Sequence, residues 1–176
     1  EIGRVLKHVD SEYILFGYNR IGYNLLKAFN KSNKEFVVID YNPDIIRELT
    51  SKKINCIYGD ANNYDFLNAL GLHRAKVVIT TIPILETNLH LLKHIKNKTL
   101  FIPTSHNIAD AKILYDKGAD YVIMPHFLGG AYMEGLLVKH NFDKNLIGKE
   151  GKKQIKELEE RELKGHTHPR KEHHGA

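Results

Sequence analysis

The chain is poor in the features that would tie it to an oxidising compartment, a membrane or a nucleic acid. It carries one cysteine, Cys56, in 176 residues, so no internal disulfide can form and a reducing cytoplasmic setting fits. Cys56 sits in the mostly apolar run Ile54 to Tyr58, where a buried, inert thiol is expected. No apolar run reaches the roughly 18–20 residues of a membrane span, so direct membrane insertion of this segment is not expected. The opening residues show no signal-peptide pattern. The formal charge of +5 is small and spread along the chain, and residues 141–176 contribute nine Lys/Arg against seven Asp/Glu. No basic face with interleaved aromatics emerges, which argues against a nucleic-acid partner.

What is present fits one ordinary globular domain with a short appendage: 42% apolar and 27% charged residues. The chain has no initiating Met, and its charged first ten residues read as a linker from a larger, membrane-associated protein. The organising stretch is Glu12 to Gly22. The apolar run Tyr13–Phe16 meets Gly17, and Ile21, Leu25, Ala28 and Phe29 then recur at helical spacing. Strand, tight turn and helix N-terminus make an anion cradle. The fingerprint G-x-G-x-x-G appears as Gly17-Tyr18-Asn19-Arg20-Ile21-Gly22, with Asn19 in the middle glycine's place. Asn19 puts a side chain where pyrophosphate presses on backbone. It therefore favours a smaller or differently posed ligand, such as AMP, ADP or ATP, or else no ligand.

Downstream, strand and helix alternate. Glu35 to Asp40 is a β-branched run whose acid stands 23 residues beyond Gly17, near the offset at which a carboxylate meets ribose hydroxyls; the competing role for Asp40 is to help cap the next helix. A helix follows from Asn42-Pro43-Asp44 to about Thr50, then a strand over 54–58, the turn Gly59-Asp60-Ala61, and a helix over 64–70 stopped by Gly71. The unbroken run Ala75–Thr81 suits a parallel sheet covered on both faces, and Thr80 and Thr81 close its carboxyl end, where ligands of open α/β sheets bind. A helix with Pro83 in its first turn runs to about Lys96. Leu100–Ile102 is the fifth strand, 107–117 a helix, Tyr121–Met124 a sixth strand, and 127–140 the last domain helix. Six alternations predict an α/β, Rossmann-like, doubly wound parallel sheet of order 3-2-1-4-5-6 over residues 11–140. Residues 141–176 then form a C-terminal extension: Gly148 and Gly151 loosen the chain before a charged helix over 152–164, and a His-rich tail follows.

The phrases Gly17-Tyr-x-Arg-x-Gly22, Val-Val-Ile-Asp40 before Asn42-Pro43, Gly59-Asp60-Ala61, Ala75-Lys-Val-Val-Ile-Thr-Thr81, Glu86-Thr-Asn88 and Gly118-Ala-Asp-Tyr-Val-Ile-Met-Pro125 are weak singly. Their order and spacing resemble the N-terminal lobe of the RCK, or KTN, domain family, the nucleotide-binding modules of potassium channels, Trk and Kef systems and related cation/proton antiporters. The resemblance implies binding of NAD(H), AMP, ADP or ATP at Gly17, Tyr18, Asn19, Arg20, Ile21 and Gly22, with Asp40 and its neighbour Tyr41 at the ribose. Asp60 and Ala61 would lie beside the adenine, and Thr80 and Thr81 would flank the ligand. It also implies a homodimer or larger ring, and control of a membrane transport domain from the cytoplasmic face. Where many relatives carry a basic residue after strand five, this chain has Thr104-Ser105-His106.

Three other readings compete. A nicotinamide-dependent oxidoreductase would use Tyr23 and Lys27 as a Tyr-x-x-x-Lys pair, but these fall inside the first helix and no second domain follows to hold a substrate, so an enzyme is not expected. Glu86, His90 and His94 share i, i+4, i+8 spacing, yet nothing completes a tetrahedral metal site, and exposed polar residues on a crossover helix are the simpler reading. A ligand-free oligomerisation scaffold keeps the fold and gives up the nucleotide, supported by Asn19 and the missing basic residue.

Overall fold

Five short runs rich in Val, Ile and Phe pair side by side in parallel: β1 (Tyr13–Phe16), β2 (Phe36–Asp40), β3 (Cys56–Tyr58), β4 (Val77–Thr80) and β5 (Leu100–Ile102). The computed structural model describes residues 12–18 and 21–165; the expectations for the linker over 1–10, for Asn19 and Arg20, and for the tail beyond Gly165 lie outside the described residues. The sheet order is β3-β2-β1-β4-β5. The register aligns Leu15 with Val38 and Ile79, and Val78 with Phe101.

Helices α1 (Gly22–Lys31), α2 (Pro43–Ser51), α3 (Tyr64–Leu70), α4 (Leu85–His94) and α5 (Ile108–Asp116) connect the strands, with a 3-10 turn over Leu72–Arg74. Because successive strand residues point to opposite faces, the sheet has two cores. Leu15, Val38 and Ile79 pack with Leu26 and Phe29 of α1 and Ile45 and Leu49 of α2. Ile14, Phe16, Val37, Ile39, Val78 and Phe101 pack on the other side with Phe66 and Leu67 of α3, Leu91 of α4 and Leu114 of α5. Both faces are covered, which is why the strands read as continuous apolar runs. Helix starts follow local chemistry: Asn42, Asn63 and Asn107 each accept a backbone N–H of the first turn of α2, α3 and α5. Gly71 ends α3 in the left-handed conformation, at φ +69°.

The structure departs from the sequence reading in three places. The sixth strand over Tyr121–Met124 is reduced to one parallel bridge, Ile123 to Thr104. Pro103 has no N–H to extend the ladder beyond β5, and helix begins at Pro125, so pairing is confined between two prolines. Asp120 meets the β5 edge, accepting the Phe101 N–H at 2.7 Å. Pro83 precedes rather than enters α4, which starts at Leu85 after Ile84. Finally, Gly148 and Gly151 do not loosen the chain; they lie inside a 20-residue helix.

That helix belongs to a second compact unit, which begins at Pro125 and holds α6 (Pro125–Lys139) and α7 (Lys144–Leu163). Asp143 caps α7 by accepting the Leu146 N–H, and Lys153–Glu150 and Arg161–Glu157 pair along its surface. No side chain crowds either glycine. Among the described residues no helix is long and apolar enough to cross a membrane. Since glycine in a helix interior costs ~0.5–1 kcal/mol relative to alanine, Gly148→Ala and Gly151→Ala should each slow amide hydrogen exchange in α7 severalfold. Exchange left unchanged or accelerated would contradict the continuous helix.

Candidate functional site

The carboxyl ends of β1 and β4 lie side by side where the chain's path across the sheet reverses, so the loops after them part and leave a crevice. The crevice is built from the β1 loop outward. Gly17 takes φ +79°, a conformation open to glycine at little cost. Its N–H donates to the Ile39 carbonyl at 2.8 Å, and its carbonyl accepts the Thr81 hydroxyl at 2.9 Å. A Cβ at Gly17 would stand 2.5 Å from Thr81 Oγ1, so both torsion and space demand glycine. The next N–H, of Tyr18, donates to Asp40 Oδ2 at 3.0 Å, while the Asn42 N–H donates to Oδ1 at 2.9 Å. Asp40, only 9% exposed, thereby ties the loop after β1 to the end of β2. The cap of α2 is Asn42, not Asp40.

Tyr18 turns inward. Its ring is buried with Leu26, Ile45 and Leu49 and lies where a Cβ on Gly22 would come within 2.8 Å of it; this contact explains the second glycine of the turn. Burial, then the nearby Glu48 carboxylate and Tyr23, pushes the Tyr18 phenol up to about 12. Ile21 and Gly22 open α1, whose N-terminus receives no side-chain cap.

The other expected residues surround the same edge. Thr80 is fully buried; its Oγ1 accepts the Ile82 N–H at 3.1 Å. Tyr41 is 65% exposed beside Asp40. Asp60 accepts the Asn62 N–H at 2.8 Å, and Thr87 of α4 donates to Asn62 Oδ1 at 2.9 Å. This chain of bonds links the turn after β3, with the buried Ala61, to α4. Cys56 is half-buried, with Thr50 Oγ1 at 3.5 Å.

Sequence reasoning missed two residues. Asn88, fully buried in α4, donates from Nδ2 to the carbonyls of Ile82 (2.9 Å) and Thr104 (3.1 Å), leaving Oδ1 without a partner. Thr104 donates to the Thr80 carbonyl at 2.8 Å. Together they fix the loops after β4 and β5. The available signal was an amide on the leucine-bearing side of a helix, a place where a buried polar group needs a partner. Thr104 and the buried Ser105 stand where a basic side chain was sought, and both serve the backbone.

Residues 13–125 match the TrkA-N domain model, and the chain belongs to that family. It is 28% identical over 130 residues to potassium channel protein 1 of Methanocaldococcus jannaschii, a match covering 71% of this chain and 39% of that protein. The chain therefore corresponds to well under half of that relative's length. Among solved structures it resembles the TrkA-N domain of the inner membrane protein ybaL from Escherichia coli (TM-score 0.62, 24% identity, 72% of this chain and 97% of that one). It also resembles the Kef C-terminal domain of Shewanella denitrificans in its AMP-bound form (TM-score 0.58, 17% identity, 87% and 95%).

Two outcomes follow from this geometry. Gly17→Ala should cost about 1–2 kcal/mol from backbone strain alone, and more once Cβ meets Thr81. Thr81→Val, which removes one hydrogen bond, should cost about 1 kcal/mol. Urea denaturation in which the glycine variant proved the milder of the two would contradict the clamp. For Tyr18, a folded-state phenol held near 12 against an ordinary 10 gives stability that is fully present below pH 10 and is lost as pH rises towards 12. Tyr18→Phe should flatten the alkaline limb of a stability–pH profile; an unchanged limb would assign it to other groups.

Proposed function

We propose that the chain is the nucleotide-sensing module of a potassium transport protein, binding an adenine nucleotide across the crevice between β1 and β4 and passing its occupancy to a membrane transport domain. The observation carrying this reading is a contrast among helix N-termini. The helices α2, α3 and α5 are each capped by an asparagine, whereas α1 and α4, which follow the two strands flanking the crevice, receive no side-chain cap. Two positive dipole ends whose N-cap residues, Ile21 and Ile84, offer no capping side chain suit a phosphate. Asp40, with both oxygens pre-oriented by backbone donors, retains lone pairs for ribose hydroxyls, and Tyr41, Asp60, Ala61, Thr80 and Thr81 line the remaining edge.

NAD(H), AMP, ADP and ATP are the candidates, and charge ranks them. Asp44, Asp65, Glu86 and Asp110 occupy the first turns of the helices ending at this edge. Their field disfavours a highly charged ligand, so AMP or NAD suits the edge better than metal-free ATP. The role is regulatory rather than catalytic. The Tyr23–Lys27 pair packs on itself along α1, with the Lys27 ammonium 5.5 Å from the buried Tyr23 ring centroid, away from the strand ends. Residues 1–10 would be the linker to the transport domain, placing the module at the inner face of the membrane. Assembly as a homodimer or ring would use α6, where Phe127, Leu128, Tyr132, Met133 and Val138, spread around the helix, are all exposed and nothing is buried; so much exposed apolar surface needs a cover, and a second copy is the cover proposed.

A second reading, the ligand-free scaffold, draws on the same Asp40: a carboxylate already holding the Tyr18 and Asn42 N–H groups has a structural reason to exist without a ribose. Thermal unfolding separates the two. At 1 mM, a ligand with a dissociation constant of ~10 μM stabilises the native state by about 2.7 kcal/mol. AMP or NAD should therefore raise Tm by several degrees, and ATP by less. No shift with AMP, ADP, ATP, NAD or NADH would leave the scaffold reading. Light scattering should return a dimer or larger, and a monomer at high concentration would remove the assembly proposal.

A further inference from the structure

The strands run in parallel, so each connecting helix ends at the edge where the next strand begins. From the last turn of each sheet helix to the next strand or bridge, with Glu12 ahead of β1, the chain places ten Lys/Arg against five Asp/Glu at this amino edge. On the side of α1 and α2 the bases are Lys31, Lys34, Lys52 and Lys53. On the other side they are Arg74, Lys76, Lys93, Lys96, Lys98 and Lys117, and all ten are exposed. Lys76 pairs with Glu12 at 2.6 Å and Lys52 with Glu48 at 2.8 Å, while Asp120 is engaged by the Phe101 N–H. The carboxyl edge, where the crevice lies, has the opposite sign: Asp40, Asp44, Asp60, Asp65, Glu86 and Asp110 stand there, and among the described residues no lysine does.

Helix dipoles account for only part of this basic edge. Lys31 and Lys93 lie in last turns, where a cation is favoured, but that effect fades beyond the turn. Lys34, Lys96 and Lys98 lie past the helix ends and cap nothing. The surface they share is broad: five strands at about 4.8 Å spacing span about 20 Å, with bases on both faces. No helix or β-ribbon projects from it to enter a nucleic-acid groove. Nine of the ten bases are lysines, point charges without the planar fork that reads phosphate or base edges bidentately. Tyr13, the aromatic ring at this edge, is taken up by Phe29 and the Lys34 ammonium and offers no platform for stacking a base. Of the side chains that start the five strands, only Leu100 is exposed, so little could enter hydrocarbon. A broad, lysine-rich, weakly apolar surface matches the charge of anionic headgroups.

We propose that the amino edge of the sheet is a docking surface for an anionic lipid bilayer, held by electrostatic attraction between its lysines and the headgroup phosphates. The path of the chain agrees. The Glu12 carbonyl accepts the Lys76 and Val77 N–H groups, so the segment ahead of β1 arrives at this same edge. A transport domain joined ahead of β1 would therefore meet the module on its basic side, and the crevice would open away from the bilayer, towards soluble nucleotide. That orientation rests on the transport-module reading; the affinity for anionic lipid rests on the charge of the edge alone.

The test is sedimentation of the full chain with vesicles of phosphatidylglycerol and phosphatidylcholine in equal parts, against vesicles of phosphatidylcholine alone. The chain should bind the first and not the second at about 50 mM salt, and should be released at about 500 mM, where screening shortens the reach of each charge. Lys96→Glu combined with Lys98→Glu, both exposed loop positions, should weaken binding at least about tenfold, and the milder Lys53→Gln on the other face about threefold. Lys152→Glu combined with Lys156→Glu on α7 changes the total charge equally and should cost about threefold or less. With Cys56→Ser as background, a fluorophore at Leu100→Cys should be quenched by headgroup-labelled lipid more strongly than one at Ile108→Cys, at the carboxyl edge. Equal losses in the two double variants, equal binding to phosphatidylcholine, the reverse order of quenching, or tighter Lys98-dependent binding to duplex DNA than to the vesicles would overturn the proposal. So would AMP or NAD raising Tm in a chain that binds no vesicle, whereas edge-dependent vesicle binding upholds it even where no nucleotide shifts Tm.

Discussion

Gly17 is held from both sides, and the geometry of the whole crevice depends on that double hold. The Thr81 hydroxyl from the end of β4 grips its carbonyl, while the Asp40 carboxylate from the end of β2 grips the N–H of the next residue. Both grips act on the single peptide group that joins Gly17 to Tyr18; Gly17 takes a left-handed torsion, so the chain turns out of β1 and the ring of Tyr18 is buried against Gly22. Loosening either grip releases the turn, the direction in which α1 sets out, and the separation of the β1 and β4 loops. Asn88 and Thr104 extend the same tactic one strand further, with side-chain donors bonded to the carbonyls of Ile82, Thr104 and Thr80. At this edge side-chain oxygens and amides satisfy loop backbone that no ladder could reach.

The sheet was legible because each central strand is covered on two faces, so Val77, Val78 and Ile79 carry no alternation to be misread, and because Gly17, Gly71 and the asparagines before α2, α3 and α5 mark turns by local chemistry alone. The errors arose where nonlocal geometry decides. Tyr121 to Met124 has the composition of a strand, but strand length depends on a neighbour's free N–H groups, and Pro103 withholds one. Gly148 and Gly151 carry a helix penalty of ~1 kcal/mol each, which a 20-residue helix with an Asp143 cap and surface ion pairs overcomes. Asp40 is the subtler case. Its offset from Gly17 marked it as important, yet an offset along the chain cannot distinguish a carboxylate that meets a ribose from one that clamps the Tyr18 backbone. In three dimensions the carboxyl group that clamps the Tyr18 backbone is the one that the proposed ribose contact would use.

Charge that is evenly spread along the chain is sorted by the fold. Acids fill the first turns of α2 to α5, and Lys31, His73, Arg74, Lys93 and His94 lie at the opposite ends of their elements. Each placement complements a helix dipole, and because every helix returns in the same direction after a parallel strand, the placements add. One edge of the sheet gathers acids, while bases close α1, α4 and the Leu72–Arg74 turn at the other and are absent from the last turns of α2, α3 and α5. An anion is welcome at the basic edge without special provision, but at the acidic edge it needs donors that outweigh the surrounding carboxylates.

That imbalance bears on why α1 and α4 lack caps. Had selection acted only on stability, an asparagine before each would add about 1 kcal/mol, as it does before α2, α3 and α5. Ile21 and Ile84 stand there instead, at the two helix starts that border the crevice. A ligand phosphate received by both starts would supply acceptors for their N–H groups, a gain that must outweigh repulsion from the neighbouring acids, so stability forgone in the empty state would become binding energy in the occupied one. Among the described residues, those two starts are the ones of the five sheet helices whose N-cap side chains give no cap, which the ligand reading accounts for and the scaffold reading does not.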